Sequence, residues 1–164
     1  MNVVCNASPL IYLSKLGRLD LLHDLFKKIL IPEQVWQEVV IQGKKDFPVE
    51  AGRVEQASNQ GWLFCETIPS NSRFPEIHAG EAAVIELALK KKIKVVLMDD
   101  AAGRQIAENS GLQVRGTLFV LLESCKTGTL SKKQCEELLN NLIQSGFRVR
   151  TEVYAQCWNY LHTL

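Results

Sequence analysis

Four acidic residues frame the chemistry open to this 164-residue sequence: Glu38, Glu81 and the adjacent pair Asp99-Asp100. Carboxylates are the hard oxygen donors that Mg²⁺ or Mn²⁺ takes. A cation held by several of them activates water and offsets charge on a transferring phosphoryl group, so the set points to a metal-assisted cut of a phosphodiester. Each acid also has an ordinary role open to it. Asp is a favoured helix N-cap, although two adjacent acids exceed what a cap needs. A glutamate in a first helical turn suits the macrodipole, which would account for Glu81. A solvated surface carboxylate would account for Glu38.

Spacing sharpens the case for two of them. At about 100° per residue, Val84, Ile85 and Ala88 share the helical face of Glu81. That face must pack on a core, so Glu81 holds its carboxylate at the rim of a buried stripe, where a lone charge is costly. Glu38 lies about 60° to one side of Val35 on a helix whose inner face is Val35 and Val39, at the border of that face. Arg104, one helical turn past Asp100, is placed to reach a phosphate or to be solvated or paired with a carboxylate. Other chemistries lack their signatures. No Gly-rich phosphate loop follows a strand (Gly116-Thr117 is too little), and there is no GxSxG elbow. His23, His78 and His162 are scattered without zinc spacing.

The elements that must position these residues alternate between apolar runs and helical patterns. Strands are expected at Val3-Val4-Cys5, Ile29-Leu30-Ile31, Trp62 toward Ile68, Val95 to Met98 and Leu112 to Val114. Ser8-Pro9 reads as a helix start with Ser8 as cap, and a second helix follows over Leu19 to Phe26. Further helices are expected from Pro32 to about Ile41, Val49 to Asn59, Gly80 to Lys91, Asp100 to Ser110, Thr117 to Lys126, Ser131 to Gln144 and near Val153 to Leu161. Gly43 to Phe47 reads as a polar connection and Pro69 to Ile77 as a surface loop. Alternation of this kind predicts a three-layer α/β/α fold around a mostly parallel sheet of about five strands. Ligands of such sheets gather beyond the carboxyl ends of the strands. Asn6 and Ser8, after the first strand, and Asp99-Asp100, after the fourth, stand at such ends.

Composition bounds the rest. The length suits one domain over residues 1–164, and 46% hydrophobic residues suit a packed core. With 19 basic and 18 acidic residues the net charge is +1, too small to draw nucleic acid by a global field, although a local patch would serve. The five cysteines are odd in number and form no CxxC pair, the pattern of reduced thiols in a cytoplasmic protein. No basic leader or bilayer-length apolar stretch is read, so no membrane is expected. Trp36, Trp62 and Trp158 are read as core or interface residues rather than base-stacking platforms.

An ordered set of segments resembles a known family. The segments are Asn6-Ala-Ser-Pro-Leu-Ile, Leu19-Asp-Leu-Leu, Ile31-Pro-Glu-Gln-Val-Trp-Gln-Glu38, Gly80-Glu-Ala-Ala-Val-Ile, Leu97-Met-Asp-Asp-Ala-Ala-Gly-Arg104 and Val114-Arg-Gly-Thr. Together they resemble the PIN-like proteins once catalogued as a domain of unknown function, family 3368. They span residues 3–149 and leave 150–164 as a helical extension. The resemblance implies a metal-dependent endoribonuclease with Mg²⁺ or Mn²⁺, acting as the toxin beside a small antitoxin, and a homodimer. By position it carries the catalytic acids onto Glu38, Glu81, Asp99 and Asp100. It carries the metal ligands onto Asn6, Glu81, Asp99 and Asp100, and leaves Ser8 and Arg104 to bind substrate. Asn6 departs from the family's acidic first position; a neutral oxygen lowers the charge of the site and weakens its hold on metal. That departure and the near-zero net charge motivate the competing reading, a catalytically silent module that binds RNA or protein. Aromatic density over Val153 to Leu161 adds a physical reason for the dimer. That helix either packs on its own domain or meets a second copy.

Overall fold

The computed structural model describes residues 1–69 and 73–164. Five parallel strands form one sheet in the order β3-β2-β1-β4-β5, with β1 Asn2–Cys5, β2 Lys28–Pro32, β3 Leu63–Glu66, β4 Val95–Leu97 and β5 Gln113–Arg115. The central strands are near-continuous apolar runs because both their faces are covered; Val3, Val4, Cys5, Ile29, Ile31, Val96 and Leu97 are fully buried.

The chain order β1-β2-β3 runs one way across the sheet, and β4-β5 runs the other way from β1. Parallel crossovers are right-handed, so this reversal puts helices on both faces. Helix α6 (Ala79–Lys91) packs across β2, β1 and β4 and touches α7 (Ala101–Asn109). Helices α1 (Ala7–Lys15) and α2 (Asp20–Phe26) instead group with α8 (Thr117–Lys126), which also carries α9 (Lys132–Gln144) and α10 (Thr151–Thr163). The three-layer architecture is therefore as the alternation predicts. Reversal also creates a crevice beyond the carboxyl ends of β1 and β4, the usual ligand position in such sheets.

Three local expectations need correction. Helix α1 begins at Ala7, and Asn6, not Ser8, occupies its cap position without a side-chain cap bond. Strand β1 continues its ladder to Asn6, whose N–H donates to the Leu97 carbonyl at 2.9 Å, so the helix starts two residues earlier than Pro9 suggests. Gly43 to Phe47 is not a plain connection. Helix α3 (Glu33–Trp36) runs into a π-helical segment, Gln37–Gln42, and then α4 (Gly43–Asp46), before α5 (Pro48–Asn59). The π segment has a wider turn than the 3.6 residues assumed for Glu38, so it resets the faces beyond Trp36. Of the loop expected over Pro69 to Ile77, residues 70–72 lie outside the described residues. The cysteines carry no disulfide: Cys5, Cys135 and Cys157 are buried, Cys125 is half-buried and Cys65 is exposed.

Candidate active site

Strand β4 ends at Leu97, and Met98, fully buried, carries the chain to Asp99 and Asp100 at the crevice. Asp99 is held by three hydrogen bonds from two other elements. Its Oδ2 accepts from the Ser8 hydroxyl of α1 and the Thr117 hydroxyl of α8, each at 2.7 Å, and its Oδ1 accepts the Thr117 backbone N–H at 2.8 Å. Thr117 is the first residue of α8, so Asp99 also faces the positive end of a helix dipole. This arrangement requires Gly116: a Cβ there would stand 2.7 Å from Asp99 Oδ1 and 3.1 Å from Arg104 Nη1. Arg104 itself donates from Nη1 to the Met98 carbonyl at 2.9 Å, which fixes its guanidinium beside Asp99.

Asp100 does cap α7. Its Oδ2 accepts the Gly103 N–H at 3.1 Å. The adjacent acids thus divide two tasks, one closing a helix and the other tying three elements together.

Glu81 is the third residue of α6, and Val84, Ile85 and Ala88 on its face are fully buried. His78 is the cap of that helix; its Nδ1 accepts the Gly80 N–H at 3.2 Å. The Glu81 carboxyl is pushed up from the usual carboxylate range, first by burial and next by the negative charge of Asp100, with Glu38 adding to it. The charge and backbone N–H of His78 pull partly the other way. Room for this carboxylate comes from Gly103, where a Cβ would meet Met98 Sδ at 2.5 Å and Glu81 Oε2 at 3.1 Å. Glu38, exposed on the π-helical segment, brings its Oε2 to 3.5 Å from where a Cβ of Gly80 would lie. Asn6, only 7% exposed, follows β1 directly and sits beside the end of β4, to whose Leu97 carbonyl its N–H donates.

The structure therefore brings Asn6, Ser8, Glu38, Glu81, Asp99, Asp100 and Arg104 to one end of the sheet, as two flanks. On one, Asp99 is tied to Ser8 and Thr117. On the other, Glu81, Asp100 and Glu38 crowd around Gly80 and Gly103. Among the described residues none of these four acids forms an ion pair, and no three His, Cys, Asp or Glu side chains form a group able to hold a metal by themselves. Thr117 is a site residue that sequence pattern alone does not single out; its signal is its place just beyond a strand end, the rule that also points to Asp99. Ser8 looks like a cap in local pattern, which does not show that its partner lies 91 residues away.

A parallel sheet with this switch point, and acidic residues gathered beyond its strand ends, defines the class as a three-layer α/β domain. The chain belongs to the former unknown-function family 3368, described as a PIN domain, which it matches over residues 2–162. PIN domains are generally nucleases that use divalent metal ions. A PilT N-terminus domain protein from the hyperthermophilic archaeon Sulfolobus solfataricus P2 is similar in structure, at 14% identity and a TM-score of 0.48, with 92% of this chain and 100% of that chain covered. No curated protein matches the sequence. Among the described residues no helix is long and apolar enough to cross a membrane.

Proposed function

We propose that this protein is a Mg²⁺- or Mn²⁺-dependent endoribonuclease, the toxin of a toxin–antitoxin pair whose partner is a small antitoxin protein, working in the cytoplasm. The observation that carries the reading is the crowding of Glu81, Asp100 and Glu38 beyond the strand ends, where, among the described residues, none of the three forms an ion pair. Like charges held together in this way favour a bound cation, and their oxygens are the donors a hard cation takes. Mg²⁺ keeps several waters and uses one or two carboxylates plus substrate phosphate, so it does not need three side chains converged in advance. The residues that would hold it are Glu81, Asp100 and Asp99, with Asn6 as a neutral oxygen donor. When bound, the ion supplies an activated water and charge compensation at the phosphoryl group.

The chain's own residues divide the remaining work. Three hydrogen bonds leave Asp99 roughly one of its four lone-pair positions, on Oδ1, and fix its direction. Glu38, which stands beside Glu81 at Gly80 and is not among the residues that would hold the ion, is placed to accept a proton from an attacking water. Arg104 spends one nitrogen on the Met98 carbonyl and has further donors for a phosphate oxygen. Incubation of RNA with Mn²⁺ and wild type, Asp99→Asn or Glu81→Gln tests the reading. Cleavage by wild type alone is expected; equal cleavage by all three proteins would assign the activity to a contaminant.

Asn6 favours a second reading, a silent PIN-like module that binds RNA or protein, because a neutral group stands where the family has an acid. Dependence of metal binding on the acids separates the two. The proposed active form is a homodimer. Helix α10 buries Cys157 and Leu161, and α8 is its neighbour in the fold, but Tyr160 is exposed and Tyr154 and Trp158 only partly covered. Light scattering at micromolar concentration should give about 37 kDa, twice the 18.5 kDa chain. A monomer mass unchanged by Trp158→Ala would refute the dimer.

A further inference from the structure

Beside Asp99, on the flank away from Glu81, lies a cleft of about 850 Å³ between the end of β5, helix α8 and the segment that leads into α10. Its floor is apolar and aromatic, including Leu118, Phe119, Leu122 and Phe147. Four arginines line it: Arg104, Arg115, Arg148 and Arg150. In a chain with a net charge of +1, this is a strong local excess. Asp99 is the one acid in the lining, and its oxygens are engaged by Ser8 and Thr117. Among the described residues none of the four arginines forms an ion pair. Arg104 and Arg115 each donate to a backbone carbonyl, of Met98 at 2.9 Å and Val114 at 3.1 Å. Arg148 and Arg150 are exposed, and among the described residues neither guanidinium group forms an ion pair or a hydrogen bond. Arg115 lies over the ring of Phe119, 5.2 Å from its centroid.

We infer that this cleft binds an unpaired stretch of RNA next to the bond to be cut, with phosphates on Arg148 and Arg150 and a base laid against Phe119 and Arg115. The identity of the strand rests on the nuclease reading; the cleft's preference for a flat, anionic ligand does not. Cationic guanidinium groups over an aromatic floor are the combination by which single strands are held, since every base has a π-face and every link a charge. The volume suits one or two unpaired nucleotides and is far too small for a duplex. Arg148 and Arg150 stand two residues apart at the entry to α10, so the C-terminal helix presents the charge pair while α8 supplies the floor. The neutral whole and the basic cleft are thereby reconciled: affinity would come from one local surface.

Fluorescence anisotropy with a 5′-labelled eight-nucleotide oligouridine, in EDTA to exclude cleavage, tests this directly. Wild type should bind. Arg148→Ala/Arg150→Ala should weaken binding roughly tenfold and reduce the slope of log affinity against log salt by about 1.4, the share of two phosphate contacts on a single strand. Arg148→Lys/Arg150→Lys should keep most of the salt slope, and Phe119→Leu should weaken binding with the slope unchanged. Circular dichroism melts confirm that each variant folds; should the double alanine variant not fold, Arg150→Gln alone should lower the slope by about 0.7. No binding by wild type, or equal affinity and slope in the arginine variants, would overturn the inference. So would capture of a ten-residue glutamate peptide where oligouridine is ignored, which would make the cleft a protein-docking site. Asp99→Asn separates this from the parent reading. If the arginine effects stand while wild type and Asp99→Asn cut RNA equally, the nuclease site fails and the RNA cleft survives.

Discussion

The two flanks of the crevice hold their carboxylates in opposite ways. Asp99 is tied down: three hydrogen bonds from α1 and α8 make it a joint between elements. Glu81 is crowded: burial, Asp100 and Glu38 all oppose its charge. The difference teaches that acids drawn from one motif set need not contribute alike to the fold. One flank gains stability from its acid. The other carries a charge that folding disfavours, which is what a site kept for a cation would look like.

Substitution should therefore change stability with opposite sign on the two flanks. The largest effect is expected from Asp99→Ala, which leaves the buried Thr117 hydroxyl and N–H and the Ser8 hydroxyl without their acceptor. Chemical denaturation should show a loss of about 3–5 kcal/mol. A loss under 1 kcal/mol would break the view of Asp99 as a joint. Gly116→Ala should cost about 1–3 kcal/mol, because its Cβ would press on the Oδ1 of a carboxylate that three donors keep from swinging away. Thr117→Val removes one donor to a charged acceptor and should cost about 1.5–3 kcal/mol, with Thr117→Ser recovering most of it. Smallest, and reversed in sign, is Glu81→Gln, which should raise the melting temperature of metal-free protein by on the order of a degree or two at neutral pH.

The pH dependence of that last gain follows from the direction of the shift. Glu81 has a higher pKa folded than unfolded, so the stability it lends is fully present below the unfolded value and is lost as pH rises through the folded value. Glutamine fixes the neutral state. The advantage of Glu81→Gln should then grow as pH climbs through the carboxylate range and level off above it. A melting-temperature difference that shrinks over the same range would contradict the assigned cause.

Much of this arrangement is legible in the sequence. Apolar runs such as Val95 to Met98 give themselves away because a strand buried on both faces has no polar alternation to hide it. The helical face of Glu81 followed from periodicity, since Val84, Ile85 and Ala88 are all core. What stayed hidden depends on contacts far apart in sequence or on departures from ideal geometry. Ser8 and Thr117 meet at Asp99 only because β1, β4 and β5 lie side by side with their ends aligned. Gly103 and Gly116 look like unremarkable glycines until a carboxylate is found against each. Glu38 sits in a π-helical segment, and no helical wheel at 3.6 residues per turn places it. Arg148 and Arg150 belong to no motif, and only the fold places them at one cleft.

The central claim is that the crowded flank is a cation site, and a Mn²⁺ titration followed by the electron paramagnetic resonance of the free ion tests it most directly. Wild type should take up Mn²⁺ in the micromolar-to-millimolar range, with Glu81→Gln and Asp100→Asn each weakening uptake at least tenfold, while Arg148→Ala/Arg150→Ala leaves it unchanged. Uptake equal in wild type and both acid variants, or absent from all of them, would contradict the account.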